Sequence, residues 1–228
     1  MHLLATRPGG YAAGDGVVDL GQTPADVVLL SAADTDLALL ADACDAAPDG
    51  YPSVRLASLL ALRSNASVDL YFDAVLAHAR LVVVALMGGV SYWPYGVERL
   101  IERARETEPH PLSLVFVPGD DTPDPELLRA SSAAPEDCQR IWRYLREAGP
   151  DNARALLQFI AARFFGRAEL PPEPRVLPRV AVCGAPEPAG RPVAAILFYR
   201  AHLQAGNLRA FESLASQLTA AGLAPLPI

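Results

Sequence analysis

The chain has 228 residues, 51% of them hydrophobic, and 19 basic against 26 acidic side chains give a formal net charge of -7. That makes a globular chain able to bury a sizeable core, as one large domain or one domain plus a piece of another. Every basic residue is Arg, so a nucleic-acid-binding face is disfavoured, and a Walker A lysine, a Schiff-base lysine and a Ser-Lys dyad are excluded from this segment.

The opening MHLLATRPGG has no long apolar stretch, and the longest strongly apolar run, Leu81 to Met87, is far too short to span a bilayer. Neither secretion nor membrane insertion is expected. Cys44, Cys138 and Cys183 are odd in number and far apart, which fits a reduced, cytoplasmic setting.

Three short apolar runs, Val27 to Ser31, Leu81 to Leu86 and Leu112 to Val117, alternate with helical patterns. Their continuous hydrophobicity predicts strands covered on both faces, hence a parallel sheet with flanking helices, flavodoxin-like in class. Asp34 is placed to cap a helix over Thr35 to Asp45, and Ser67 one over Val68 to Ala79. Between them Pro52 to Leu62 reads as a short helix or irregular segment rather than a further strand. From Val97, apolar Val97, Leu100, Ile101 and Ala104 share one face and the charges Glu98, Arg99, Glu102 and Arg103 the other, an amphipathic helix with a solvated face.

A helical hairpin follows. Pro135 suits a first helical turn, Cys138, Ile141, Trp142 and Leu145 repeat at helical spacing as core residues, and Gly149-Pro150 ends the run. Asp151 restarts a helix that Gly166 stops. Leu170 to Pro192 then turns Pro-, Gly- and Ala-rich, a linker or surface-hugging connection in which Val180 to Cys183 can add a short edge strand. Arg191 to Arg200 reads as a buried strand, Asn207 to Gly222 as a helix and Ala224 to Ile228 as a second strand. A βαβ unit whose second strand is just opening lacks a sheet to pack on, so the chain reads as the front part of a longer polypeptide. The expected organisation is a flavodoxin-like α/β domain over 1–130, the hairpin over 131–169, a linker over 170–192 and the start of a second α/β domain over 193–228.

Ligands of parallel α/β sheets bind where strands end, at the carboxyl edge. Four segments are expected there: Ser31 to Asp36, Gly88 to Gly96, Pro118 to Glu126 and Tyr199 to Asn207. The second sets Tyr92, Trp93 and Tyr95 within four residues, stiffened by Pro94, either to pack between subdomains or to stack on a planar ligand. The third, with Asp120, Asp121, Asp124 and Glu126, lacks EF-hand spacing, and Asp124 before Pro125 reads as a helix cap. The fourth puts Arg200 and His202 after a strand, where a guanidinium can pair with a carboxylate and an imidazole can relay a proton or meet a metal. No HExxH, GxSxG, GxGxxG or partnered CxxC occurs, and His2, His78 and His110 have no ligand spacing.

Thr23 to Asp36 (TPADVVLLSAADTD) followed by Leu81 to Leu100 (LVVVALMGGVSYWPYGVERL) resembles the amino-terminal region of the large subunit of aerobic cobaltochelatase, the CobN type. Val193 to Ile228 is similar to the strand-loop-helix that opens the next α/β domain in this family and in the magnesium chelatase H subunit. The GG-x-SYWPYG and FYR-x-H segments are its most specific parts. For the parent protein the resemblance implies ATP-dependent insertion of Co(II) into hydrogenobyrinic acid a,c-diamide during cobalamin synthesis. It implies that the large subunit binds the tetrapyrrole and cobalt, while an AAA+ ATPase subunit and its partner subunit use ATP and Mg. ATP is therefore not expected on this chain, which fits the missing lysine, and no resident metal is expected. Family large subunits are several times longer, which implies a fragment inactive alone. The resemblance carries a substrate-binding role to Arg200 and His202 and leaves catalytic residues unassigned. A non-catalytic flavodoxin-like interaction module and a magnesium chelatase H-type subunit are the competing readings.

Overall fold

The computed structural model describes residues 16–228 except 107, 109, 168, 179 and 184–189. The opening segment with His2, and the middle of the Pro-rich stretch, lie outside the described residues. Strands β1 (Val27–Ser31), β2 (Val54–Ser58), β3 (Leu81–Leu86) and β4 (Ser113–Pro118) form one parallel sheet in the order β2-β1-β3-β4. Six helices accompany it: α1 (Asp34–Asp45), α2 (Asn65–Ala74), α3 (Pro94–Arg105), α4 (Pro125–Ala130), α5 (Pro135–Glu147) and α6 (Pro150–Phe165).

Alternation along the strands splits the core in two. Val28, Leu30, Val82, Val84, Leu114 and Phe116 face α2 and α3. Val27, Leu29, Leu81, Val83, Val115 and Val117 face α1, α5 and α6. The central strands β1 and β3 are buried along their whole length, which is why their sequences run apolar without a break. The expected hairpin is present as α5 and α6. Its apolar stripe, Cys138, Ile141, Trp142, Leu156 and Ile160, joins the sheet's own core rather than closing on itself.

Several local expectations need correction. Val54–Ser58 is a strand, not a helix. It is an edge strand paired only with β1, and Leu59–Ala61 adds a single 3₁₀ turn that makes the run look helical. Its Arg55 turns outward to Thr23 Oγ1 and the Thr23 carbonyl, as befits a charged residue on an edge. The cap of α2 is Ser64, whose hydroxyl accepts from the Ser67 amide, while Ser67 Oγ accepts from Val18 N–H. Asp34 lies inside the first turn of α1, and Ala33 at the cap contributes no side chain. Asp124 does cap α4, accepting from the Glu126 and Leu127 amides.

The last segment is a small βαβ unit: β5 (Val193–Ile196), α7 (Arg200–Gln204), α8 (Arg209–Ala220) and β6 (Ala224–Pro227), with β5 and β6 parallel. The strand expected as buried is short and largely exposed, because it has one neighbouring strand and one covering helix; Val193 is 66% exposed and only Ile196 is buried. Val180 to Cys183 forms no strand, although the Cys183 amide bonds the Pro227 carbonyl beside β6.

The Pro-rich connection is no free tether over 170–178. It is strapped along α5 and α6: Arg140 Nη2 donates to Pro171 O, Tyr144 Oη to Pro172 O, and Glu173 pairs with both Arg140 and Arg143. Further along, Asn152 exchanges hydrogen bonds with the backbone of Arg175 in both directions, at 2.8 Å each.

Candidate functional site

In a sheet ordered β2-β1-β3-β4 the chain runs outward in opposite directions from β1 and β3, and their carboxyl ends leave a crevice. A cleft of about 600 Å³ occupies it. Asp36 after β1, Met87 after β3 and the Gly119 to Thr122 loop after β4 line one side. Arg146 at the end of α5 and Ala201, Gln204 and Ala205 of the second unit line the other, so the cleft is closed by the seam between the two α/β units.

The charged side chains of this seam are fixed. Arg146 lies over the Trp142 ring at 5.1 Å and donates from Nη2 to Glu147 Oε1 at 2.6 Å. Trp142 Nε1–H in turn bonds the Asp120 carbonyl, tying α5 to the loop after β4. On the opposite wall, Ser31 Oγ–H donates to Asp36 Oδ2 at 2.9 Å and accepts from the Ala33 amide. Burial pushes the Asp36 carboxyl above its ordinary value, outweighing the opposite effect of the Ser31 hydrogen bond.

That shift has a sign that can be tested. A carboxyl raised in the folded state costs stability above its folded value, and the cost vanishes below the unfolded value near 3.8. Asp36→Asn, which keeps the acceptor for Ser31, should therefore raise the melting temperature at neutral pH. In thermal melts run from pH 7 downward the advantage should disappear as pH falls toward 3.8.

Arg200 and His202 are both on α7, but two residues apart on a helix they face different ways. Arg200 Nη2 reaches back across the seam to Glu147 Oε2 at 3.2 Å and to Leu177 O at 3.1 Å. His202 packs edge-on against Phe211 of α8, centroids 4.9 Å apart, and Phe211 stacks on Phe198. Arg200 also lines a separate groove of about 320 Å³ with Leu197, Phe198, Leu203, Cys183 and Ile228. Its Nε is buried with no acceptor.

The aromatic loop sits on the α2 and α3 face, away from this seam. Trp93 is 5% exposed and donates from Nε1 to Leu62 O at 2.8 Å. Tyr95 Oη–H bonds Asp69, which also pairs with Arg99, and Tyr92 packs at the margin of the same core. All three rings thus pack within the first domain, not between subdomains.

Glu147, Arg146 and Gln204 did not stand out in the sequence. The available signal was Glu147 itself, an acid in the last turn of a helix, where the dipole favours cations. Among the described residues no group of three or more His, Cys, Asp or Glu is arranged to hold a metal, and no helix is long and apolar enough to cross a membrane.

A parallel sheet covered by helices on both faces, with a carboxyl-edge cleft closed by a second α/β unit, is the architecture of a ligand-handling α/β protein. Residues 142–228 match the CobN/Magnesium Chelatase family. All of the chain aligns with the aerobic cobaltochelatase subunit CobN of Pseudomonas aeruginosa at 46% identity, and with that of a Sinorhizobium species at 40%, spanning 19% of each of those proteins. The catalytic subunit of cobaltochelatase from Mycobacterium tuberculosis has a similar fold over 88% of this chain and 16% of its own, with 31% identity and a TM-score of 0.66. The chain is similar to CobN subunits along its whole length, and it spans 19% of the length of those relatives.

Proposed function

We propose that the chain is part of the large subunit of an aerobic, ATP-dependent cobaltochelatase, a ligase that inserts Co(II) into hydrogenobyrinic acid a,c-diamide. The observation that carries this reading is the identity of 46% to a CobN subunit over the whole chain. Cobalt and tetrapyrrole are the substrates. ATP and Mg belong to an AAA+ ATPase subunit and its partner subunit, which suits a segment without a single lysine. The complex works in the cytoplasm.

Within this chain the tetrapyrrole meets Arg200 and His202. A macrocycle with peripheral carboxylates supplies both an apolar body for the groove beside Leu197 and Leu203 and a carboxylate for the partly exposed Arg200 guanidinium. His202, partly exposed above Phe211, is the proton or metal relay.

The test replaces the matching segment of the Pseudomonas aeruginosa CobN subunit with these 228 residues. With partner subunits, ATP and Co(II), the chimera should metallate the tetrapyrrole, seen as a change in its absorption spectrum, while the chain alone should neither hydrolyse ATP nor insert cobalt. A chimera that folds and assembles but inserts no cobalt would overturn the assignment.

A further inference from the structure

The seam between the two α/β units closes around one carboxylate. Glu147 is 5% exposed, and three segments converge on it. Oε1 accepts from its neighbour Arg146 at 2.6 Å, and Oε2 accepts from the Leu177 amide of the strap at 3.1 Å and from Arg200 Nη2, at the start of α7, at 3.2 Å. Gln204 of α7 reinforces the junction by donating to the Arg146 carbonyl, and Gly149 N–H donates to Gln204 O. Directly after Glu147, Ala148 holds a φ of 53°, a conformation a residue with a side chain keeps only when its surroundings impose it. Its carbonyl is held by Asn152, the residue that also grips the strap.

One carboxylate faces two guanidinium groups, so the cluster keeps a net positive charge. Glu147 occupies only Nη2 of Arg200, whose side chain lines the apolar groove and keeps about 30% exposure. Glu147 therefore orients Arg200 without consuming it. We propose that Glu147 is a positioning residue for substrate binding. It locks the first turn of α7 to α5 and to the strap, and so holds the partly exposed Arg200 guanidinium at a fixed angle to the groove. The substrate side of this proposal rests on the tetrapyrrole contact at Arg200 proposed above; the clasp itself is tested independently of any substrate.

Glu147→Gln keeps the shape and one acceptor but removes the charge. In the 228-residue chain, hydrogen exchange at Leu177 and residues 200–206 should accelerate about tenfold while β1, β3 and β4 exchange as before. In the assembled chelatase, Glu147→Gln should raise the tetrapyrrole KM about tenfold with kcat nearly unchanged, Arg200→Ala should do the same, and the double variant should be no worse than Arg200→Ala. A merely structural role would instead lower kcat per mole of protein and leave KM in place. Unchanged exchange at 200–206, or effects of the two substitutions that add in full, overturns the clasp. If exchange accelerates but Arg200→Ala leaves KM unchanged, the clasp exists, the tetrapyrrole contact at Arg200 does not, and the substrate-positioning role falls with it.

Discussion

Trp93→Ala is expected to destabilise the chain by about 3–5 kcal/mol, the usual range for removing a large buried aromatic. The ring is 5% exposed and belongs to the core under α2 and α3, beside Leu62, Val97 and Leu100. Its Nε1–H is the donor to the Leu62 carbonyl, so truncation also strands a buried acceptor, itself worth about 1–3 kcal/mol. The fit is tight from the helix side as well. A Cβ at Gly96, in the first turn of α3, would stand 2.2 Å from the Trp93 ring, so only glycine lets the ring lie against the helix backbone. Gly96→Ala should accordingly lose about 1–3 kcal/mol by overpacking. Urea unfolding monitored by far-UV circular dichroism measures both, as a shift in midpoint at constant slope. A Trp93→Ala chain of unchanged stability whose parent complex has lost tetrapyrrole affinity would restore the ring as a ligand platform.

The particular residues explain how much of this was legible beforehand. VVLLS, LVVVAL and LVFV announced β1, β3 and β4 because strands buried on both faces need apolar side chains at every position, a signal that survives without any partner in view. The edge strand β2 gave no such run. VRLAS mixes an outward Arg with half-buried neighbours, and the LLA turn behind it supplies a false helical period. Ser64 and Ser67 are both plausible caps by composition, and only the geometry of the entering chain selects Ser64. Read as a loop, residues 199–207 present Arg200 and His202 together. Wound into a short helix they point apart, one to Glu147 and the other to Phe211. The clasp was the least legible part, because its donors come from 30 and 53 residues away and leave only one misplaced acid as a local trace.

Removing Glu147 is expected to cost more than removing Arg200. Breaking a buried pair from the acid side leaves Arg146 and Arg200 facing each other and the Leu177 amide without an acceptor. Both arginine side chains keep about 30% exposure, so water recovers part of the loss, and Glu147→Leu should cost about 2–3 kcal/mol. Arg200→Leu leaves Glu147 still paired with Arg146 and should cost about 1 kcal/mol. The double variant should fall short of the sum by about 1 kcal/mol, the coupling expected of residues in one network. The pH dependence separates charge from shape. Burial alone would push the Glu147 carboxyl up, but hydrogen bonds from Arg146 and the Leu177 amide, with the charges of Arg146 and Arg200, outweigh it and hold it below 4.5. A carboxyl lowered on folding contributes stability in full above its unfolded value and loses it as pH falls through the folded one. The gap in melting temperature between the parent chain and Glu147→Gln should thus be open at pH 7 and begin to close below pH 4.5. A gap that stays constant across that descent would assign the cost of the substitution to packing and hydrogen-bond shape, and would remove the charge from the clasp.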